Sequence, residues 1–394
     1  MNGVLTGVRV LDFGRHIAGP YCATLLADMG AEVIRIERVD GSEDRFVLPV
    51  GEGDTGAGFL QIARNKLGLT LNPMKPEGQE IVKRLVATAD VVVANLPLPS
   101  LVQMGIDYDS LKAIKPDIIL TMISAFGIDG PYKARVGFDL LGQAMSGSMH
   151  LSGPEDTPTR SQTPWVDYGT AVSAAFGTMG ALLERSRSGK GQLVEASLFS
   201  TALAFNAALL IDQAVLSSNR VGRGNLGINS APNDAYRTKD GWVVLMIVGQ
   251  PIYERWAKLM GEPKWLDDPR FATDQSRADH GAEISARMNE WCATRSNAEA
   301  LAELEAARIP AGPVYLPQET LEDPHANARG LYTPLAYPGV PRPAPLVDTP
   351  VRLSGNAVGI RHRAPTLGEH TDQVLTELGY GAQEIAAFRK GRIV

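Results

Sequence analysis

The alternation of apolar, strand-like runs with helix-like segments over the first 125 residues limits the fold more than any other feature of this sequence. Residues 8–13 (VRVLDF) form a short apolar run, Gly19 and Pro20 punctuate, residues 21–29 (YCATLLADM) fit a helix, and Gly30 suits its C-terminal stop. AEVIRIE follows as a second strand. Strand, helix and strand within about thirty residues describe a βαβ unit, whose crossover makes the two strands parallel and lays the helix on one face. The pattern repeats: GLTLN (68–72) precedes a helix opened by Pro76 and Glu77, DVVVANL (90–96) is a near-continuous apolar strand, and PDIILTMIS (116–124) is another. Strands this apolar are expected where both faces of a parallel sheet are covered. The first half of the chain therefore predicts a doubly wound, Rossmann-like α/β domain.

At 394 residues the chain exceeds the size at which one core usually stops growing, so two domains are expected. From Ala171 to Leu183 the run AVSAAFGTMGALL is apolar on nearly every side and rich in Ala and Gly, which predicts a buried helix with close backbone approach. QLVEASL (192–198) and an Ala-rich helix close this half. The predicted division is a large domain over 1–215, a Gly/Asn/Ser-rich linker over 216–232 and a small domain over 233–332. A proline-rich, semi-rigid linker over 333–350 and a strand and helix over 351–394, returning to the large domain, complete it. Inside the small domain AYRTKDGWVVLMIV reads as a hairpin turned at Asp240-Gly241, and NAEALAELEAA (297–307) as a helix that Pro310 prevents from extending.

Several function classes lose support at once. The 38 Lys and Arg against 44 Asp and Glu give a net charge of −6 without basic runs, which argues against nucleic-acid or membrane partners. Cys22 and Cys292 lie far apart without metal-ligand spacing, so reduced, buried thiols are expected. Arg9, Asp12 and Arg15 interrupt any signal-peptide core and no uncharged run reaches spanning length, which makes the cytoplasm the expected compartment. The six histidines form no HxxxH or HxH pair, so no metal site is predicted. GRGNLG (222–227) matches GxGxxG, but the polar SSNR before it and Pro232 after it suit a linker rather than a strand–turn–helix. Neither a Walker loop nor a GxSxG elbow occurs.

Two places remain for chemistry. His16 sits in the first βα turn, at the end of a parallel sheet where ligands bind, although a loop histidine is also simply solvated; Arg15 beside it can help hold an anion. Asp167 lies in TPWVDYGT just before the buried helix, where Asp is a favoured N-cap. A helix dipole there favours an ionised carboxylate, and a partly dehydrated carboxylate can attack a thioester carbonyl. Trp165 and Tyr168 can supply the dehydration, and nearby backbone amides can stabilise the oxyanion.

Eight stretches in order resemble family blocks of the class III CoA-transferases, the group of formyl-CoA transferase, carnitine CoA-transferase and the 2-methylacyl-CoA racemases. They are GVRVLDFGRHIAGPYCATLLADMGAEVIRIER, ARNKLGLTLN, VVVANLPLPSLVQMGIDYDSL, MISAFGIDGPY, GFDLLGQAMSG, PWVDYGTAVSAAFGTMGALLERSRSGKGQ, YRTKDGW and APTLGEHTDQVLTELGY. The resemblance implies a relay in which Asp167 attacks an acyl-CoA to form an aspartyl anhydride and CoA is recaptured, as an aspartyl thioester or by the incoming acid. It implies acyl-CoA and a carboxylic acid as partners, no metal or redox cofactor, and an interlocked homodimer of two ring-like chains. Carried over by position, the CoA contacts are His16, Ile17, Ala18, Arg38, Asn72, Asn95, Leu96 and Arg135, while Asp139 of GFD helps shape the transferase site. Departures matter too. Ile17 stands where oxalate-using members carry glutamine, and their long glycine run shrinks here to Gly249-Gln250, so formyl-CoA and oxalate are poor substrate choices. Phe138 stands where the racemases place a histidine, which removes one of the two bases that racemisation needs. The alternatives to transfer are a racemase or isomerase and a CoA-binding protein without turnover.

Overall fold

In a computed structural model describing residues 3–51 and 55–394, the elements follow the predicted alternation. The first part runs β1 (Arg9–Asp12), α1 (Ala18–Asp28), β2 (Glu32–Glu37), α2 (Ala57–Ile62), β3 (Lys66–Thr70), α3 (Pro76–Thr88), β4 (Val91–Ala94), α4 (Leu98–Met104), α5 (Tyr108–Ile114) and β5 (Ile119–Ser124). Then come α6 (Asp139–Met145), α7 (Ser148–Leu151), α8 (Trp165–Ser188), β6 (Leu193–Ser197), α9 (Leu198–Phe205) and α10 (Ala207–Leu216). After them lie β7 (Asn233–Arg237), β8 (Trp242–Met246), α11 (Gln250–Leu259), α12 (Asp274–Asp279), α13 (Gly281–Ala293), α14 (Asn297–Ala306) and β9 (Ala311–Pro313). The chain ends with α15 (Pro317–Glu322), α16 (Pro324–Ala328), β10 (Tyr332–Leu335), β11 (Ala344–Val347), α17 (Thr371–Glu377) and α18 (Ala382–Lys390). One compact unit takes the chain up to Ser146, Ser161–Ala208 and Ala328–Val394; the other takes Gly147–Arg160 and Leu209–Asn327.

The first unit is built on a six-stranded, all-parallel sheet in the order β3-β2-β1-β4-β5-β6. Consecutive strand residues point to opposite faces, so each apolar strand feeds two cores. Val10, Val33, Val91 and Ile119 meet Cys22, Leu26, Ala171 and Ala174 of α1 and α8. Their neighbours Leu11, Ile34, Val92 and Leu120 meet Ile81, Leu85, Leu101, Leu111 and Leu375 of α3, α4, α5 and α17 on the other side. Local signals fix the helix ends: Pro76 opens α3, Asp107 accepts the Ser110 N–H at 2.9 Å to start α5, and Gly30 follows α1 with φ 105°.

β3 is an edge strand, and the C-terminal segment covers it. Gly68 N–H donates to His370 Nδ1 at 3.1 Å, Gly68 C=O accepts the His370 N–H at 2.9 Å, and Thr70 N–H donates to Thr371 Oγ1 at 3.2 Å. Side chains thus finish an edge that would otherwise invite pairing with another chain. This also explains why the strand expected after residue 350 is absent among the described residues: the segment bonds to β3 through His370 and Thr371 and then continues as α17 and α18.

Two further expectations need correction. Residues 333–350, read as a linker, contain the antiparallel pair β10–β11, with Pro334 opposite Pro345 where neither N–H is required. Tyr337 and Leu346 of this ribbon pack on Phe59, Leu60 and Ala63. The helix expected to be buried on every side buries only Ala171, Ala174, Ala175, Thr178 and Ala181; Phe176 remains 81% exposed on its other face, with Val172 and Leu183 exposed as well. The small residues do permit the close approach, which is made to α1.

The second unit carries the antiparallel sheet β7-β8-β9, whose first two strands form a hairpin closed by Thr238 N–H to Gly241 C=O at 3.1 Å. Tyr236, Val243, Trp256, Met288 and Leu304 form its core. Residues 147–160, which the sequence kept with the large domain, group with this unit. Cys22 and Cys292 are free and buried. Among the described residues no single helix is long and apolar enough to cross a membrane; α9 and α10, bent by 66°, meet that length and composition only as a pair.

Beneath the sheet's C-terminal edge lies a charge cluster that hydropathy does not announce. Lys66 Nζ, fully buried, donates to Asp12 Oδ2 at 2.8 Å and to Pro20 C=O at 2.6 Å. Arg35, equally buried, pairs with Asp44 at 2.6 Å and lies 3.7 Å from Asp12 and 3.6 Å from Glu37, which Arg45 holds at 2.7 Å. Burial pushes Asp12 up, but Lys66 and Arg35 outweigh it, so its carboxyl sits below the usual range. Three acids balance three bases, and removing one leaves a buried charge uncompensated. Asp12→Ala is accordingly expected to lower unfolding free energy by about 3–5 kcal/mol, read from urea midpoints; a loss near zero would contradict the role given to this cluster.

Candidate active site

Ligands of open parallel sheets bind beyond the carboxyl ends of the strands where strand order reverses. Here that point lies between β1 and β4. The turn after β1 is tightly determined: Asp12 Oδ1 accepts the Gly14 N–H at 2.8 Å, and a Cβ on Gly14 would lie 2.6 Å from Pro20 Cδ. His16 takes a left-handed backbone, φ 58°, which a non-glycine residue adopts only when its surroundings compel it. Asn95, just after β4, does the compelling: its Oδ1 accepts the Arg15 N–H at 2.7 Å and its Nδ2 donates to the Arg15 C=O at 2.8 Å.

A cavity of about 620 Å³ opens over these strand ends. Arg15, Arg38, Asn72 and Leu96, all singled out in the sequence, line it together. Lys75 and Arg392 join them, and sequence reading missed both. Lys75 immediately precedes the helix-opening Pro76, and Arg392 arrives only because the returning C-terminus bonds Asn72 N–H to Ile393 C=O at 2.7 Å. Four cations therefore face one opening. Arg38 is held by Glu43 at 2.8 Å and Arg392 by Asp40 at 2.6 Å, while Arg15 donates to the carbonyls of Phe13, Gly14 and Ile36. Burial pulls the Arg15 guanidinium below its ordinary range.

The remaining candidates divide. Ile17 and Ala18 start α1, and Ala18 is buried. The Asn95 side chain spends both ends on Arg15, so it shapes the turn. Arg135 is exposed, stacked on Tyr132 with its guanidinium 3.9 Å from the ring centre, and does not line the cavity. His16 is exposed and meets Phe138 edge-on at 5.4 Å, which ties the first turn to the start of α6.

From Phe138 the contacts lead to Asp167. The expectation that Asp167 caps α8 is overturned: the helix begins at Trp165, so Asp167 lies inside the first turn. The cap comes from another helix. Asp139 Oδ1 accepts the N–H of Val166 at 2.8 Å and of Asp167 at 3.1 Å, while its Oδ2 accepts Gln143 Nε2 at 2.5 Å. Helix α6 can come this close because Gly142 faces Val166, whose Cγ1 would lie 2.8 Å from a Cβ at that position. The other first-turn amides are occupied too, Trp165 N–H by Thr163 C=O and Tyr168 N–H by Pro164 C=O. The amides expected to serve an oxyanion are thus already spent within this turn.

The electrostatics of Asp167 reverse as well. Its carboxyl is pushed up to about 7, first by burial and then by the negative charge of Asp139. The helix dipole that was to hold Asp167 ionised is answered by Asp139 instead, and two close carboxylates disfavour a second charge. A displacement of this size disfavours the ionised form by on the order of 4 kcal/mol. Aromatic rings enclose the same turn: Tyr168 meets Tyr21 edge-on at 4.9 Å and Trp165 stacks on Phe205 at 6.0 Å. The arrangement offers a half-buried carboxylate destabilised as an anion, hence one that gains by forming a neutral acyl derivative. Among the described residues no group of three or more His, Cys, Asp or Glu is placed to hold a metal ion.

Comparison with known proteins agrees on the kind of chain this is. Residues 5–371 match the family described as CoA-transferase family III. The chain is similar to the succinyl-CoA–D-citramalate CoA-transferase of Chloroflexus aurantiacus, 33% identical with 99% of this chain and 98% of the relative covered. It is similar also to the succinate–glutarate CoA-transferase of Agrobacterium fabrum, 32% identical with 95% of each covered. Among solved structures, a CAIB/BAIF family protein from Brucella suis superposes with a TM-score of 0.85 at 32% identity, covering 96% of this chain and all (100%) of that one.

A carboxyl that folds with its pKa raised to about 7 leaves a pH signature. As pH rises above the ordinary carboxylate range the unfolded chain loses this proton first, so stability falls until about pH 7 and then levels off. Asp167→Asn, which cannot ionise, should raise the melting temperature over the parent by an amount that grows from pH 5 to pH 7.5 and is then constant. A difference that does not vary with pH would contradict the raised pKa.

Proposed function

From the premise that this chain belongs to CoA-transferase family III, we propose that it moves CoA from an acyl-CoA donor to a carboxylic acid through covalent intermediates on Asp167. The observation that carries this reading is the Asp167 carboxyl, half-buried beside Asp139, which accepts the Asp167 N–H, and raised to about 7. The Asp167 carboxylate attacks the donor's thioester carbonyl; the C–S bond breaks, CoA leaves as thiolate, and an aspartyl anhydride remains. The thiolate then attacks the aspartyl carbonyl, giving an aspartyl thioester and releasing the donor acid. The acceptor carboxylate attacks that thioester and frees the thiolate again, which finally takes the acceptor acyl group and restores the Asp167 carboxylate. In a shorter route the acceptor carboxylate attacks the aspartyl carbonyl of the anhydride and displaces the donor acid, and the waiting thiolate then attacks the acceptor carbonyl of the new anhydride, forming the product thioester and restoring the Asp167 carboxylate. Each acylation discharges Asp167, so burial and Asp139, which penalise its charge, favour the intermediates over the resting anion.

The cavity at the strand ends suits the polyanionic part of CoA, with Arg15, Arg38, Lys75 and Arg392 toward phosphates and Leu96 and Asn72 beside them. His16, Ile17, Ala18 and Asn95 form the turn beneath, and this reading assigns Arg135 a contact only with the outer part of the ligand. No cofactor beyond the CoA thioester enters these steps. Succinyl-CoA is the proposed donor class and a dicarboxylic acid the proposed acceptor class, since one relative above is named for succinyl-CoA with D-citramalate and the other for succinate with glutarate. Phe138, in contact with His16, brings no titratable group to the site, which speaks against racemisation. The apolar residues Val172, Phe176 and Leu183 on α8 and Leu140, Leu141 and Met145 on α6 stay exposed in the single chain. An interlocked homodimer, working in the cytoplasm, is the proposed state that covers them.

Incubation with succinyl-CoA and a panel of dicarboxylic acids should yield new thioesters by mass detection, with kcat/KM rising as pH passes through about 7. Asp167→Ala should lose at least about a thousandfold in activity. Failure across the panel, undiminished activity in Asp167→Ala, or deuterium uptake at the α-carbon of a 2-methylacyl-CoA without any acceptor would each overturn the reading. By sedimentation the parent should be a dimer and Phe176→Glu a monomer or aggregate; a monomeric parent contradicts the assembly.

A further inference from the structure

Gln143 has no part in the relay above, yet it is only 2% exposed and every polar atom of its side chain is committed toward Asp139 or the segment leading into α8. It sits one helical turn after Asp139, and its Nε2 reaches back to Asp139 Oδ2 at 2.5 Å. Its Oε1 accepts the Ser161 N–H at 3.0 Å, and its Nε2 lies 3.4 Å from the Ser161 C=O. Ser161 begins the short run that enters α8 at Trp165. We propose that Gln143 is a positioning residue for acyl transfer: it clamps Asp139 between α6 and the entry to α8, so that Asp139 Oδ1 stays on the amides of Val166 and Asp167.

A simple alternative is that a buried glutamine merely satisfies its own polar atoms. The donor count distinguishes the two. Asp139 receives three N–H groups, two on Oδ1 and one on Oδ2. Gln143 supplies the only one of the three on Oδ2, and its amide orientation is set by Ser161 N–H rather than left free. Asp139 in turn is the charge that acts on Asp167. The neighbouring groups are Tyr168, on the same turn as Asp167, Tyr21 of α1, and Arg64, whose guanidinium is tied to Asp28 at 2.7 Å. His16 approaches from the first turn through Phe138. A hydrogen bond to a charged group contributes about 1.5–3 kcal/mol. Without it the doubly ionised Asp139–Asp167 pair is harder to form, and the upper titration step of the pair moves up.

This inference rests on the reading of Asp167 as the nucleophile, but its test does not. Full-length chain labelled with ¹³C at aspartate carboxyls is titrated by NMR, with the Asp167 signal identified by its loss in Asp167→Asn. Gln143→Met, close in shape and without donors, should move the upper step upward by about one pH unit, whereas Asp139→Asn, which removes the charge, should move it downward. Ser161→Pro, which deletes the amide that orients Gln143, should give a smaller upward shift and serves if Gln143→Met does not fold. In transfer assays the pH midpoint of kcat/KM should follow the same directions. An unchanged midpoint in Gln143→Met, or in Ser161→Pro where the first does not fold, overturns the positioning role even if transfer is intact. Shifts as stated in a protein without transferase activity would instead uphold Gln143 and reject the function proposed for Asp167.

Discussion

Asp139's carboxylate, seated on the amides of Val166 and Asp167, is the contact on which the rest of the site depends. A helix of 24 residues, Trp165–Ser188, must start somewhere, and its first amides need acceptors. Supplying the acceptor from a different helix, α6, rather than from the residue before the first turn does two things at once. It fixes α6 against α8, with Gly142 allowing the approach, and it places the negative charge of Asp139 beside Asp167. The same interaction that stabilises the helix destabilises the anion on its third residue. A carboxyl that gains by losing its charge suits the acyl-carrying role proposed for Asp167.

The sheet makes this geometry available. Its strand order reverses at β1 and β4, which opens the cavity above Phe13 and Leu96. The turn after β1 is held from below by Asp12 and from the side by Asn95. Asp12 in turn balances Lys66 and Arg35 in the buried cluster, so the strained backbone of His16 rests on a polar foundation rather than an apolar one. From His16 the edge-on contact to Phe138 reaches the residue before Asp139. Cation-lined cavity and carboxyl are thereby linked through one short series of contacts within a single compact unit.

Much of this was legible in the sequence because it rests on periodicity. VRVLDF, AEVIRIE and DVVVANL alternate sides in a parallel sheet, and their apolar character on both faces reveals that both faces are covered. Asp240-Gly241 marked its hairpin, although neither residue takes a positive φ and the turn over 238–241 is closed by Thr238 N–H to Gly241 C=O instead. What escaped was set by contacts distant in sequence. Nothing near Asp167 shows that Asp139, twenty-eight positions earlier, takes over its capping role. The four-residue spacing of Asp139 and Gln143 in GFDLLGQAM suits one helix face, but its purpose appears only once α8 lies beside it. Arg35 and Glu37 looked like ordinary strand residues, because hydropathy does not report that Asp44 and Arg45 fold back to pair with them. The prolines of 333–350 imitated a linker, since a two-stranded ribbon tolerates proline where a central strand does not. Phe176 passed for core because apolar composition alone cannot distinguish a buried face from one awaiting a partner.

The central claim is that Asp167 carries the acyl group. The measurement closest to it is peptide mass analysis after the protein has been mixed with succinyl-CoA and quenched with hydroxylamine, which converts an aspartyl anhydride or thioester into a stable hydroxamate. The account predicts the hydroxamate on the peptide containing Asp167, dependent on succinyl-CoA and absent when the donor is left out. Transfer of CoA between acids with Asp167 recovered unmodified, or with the label on another carboxyl, would contradict it.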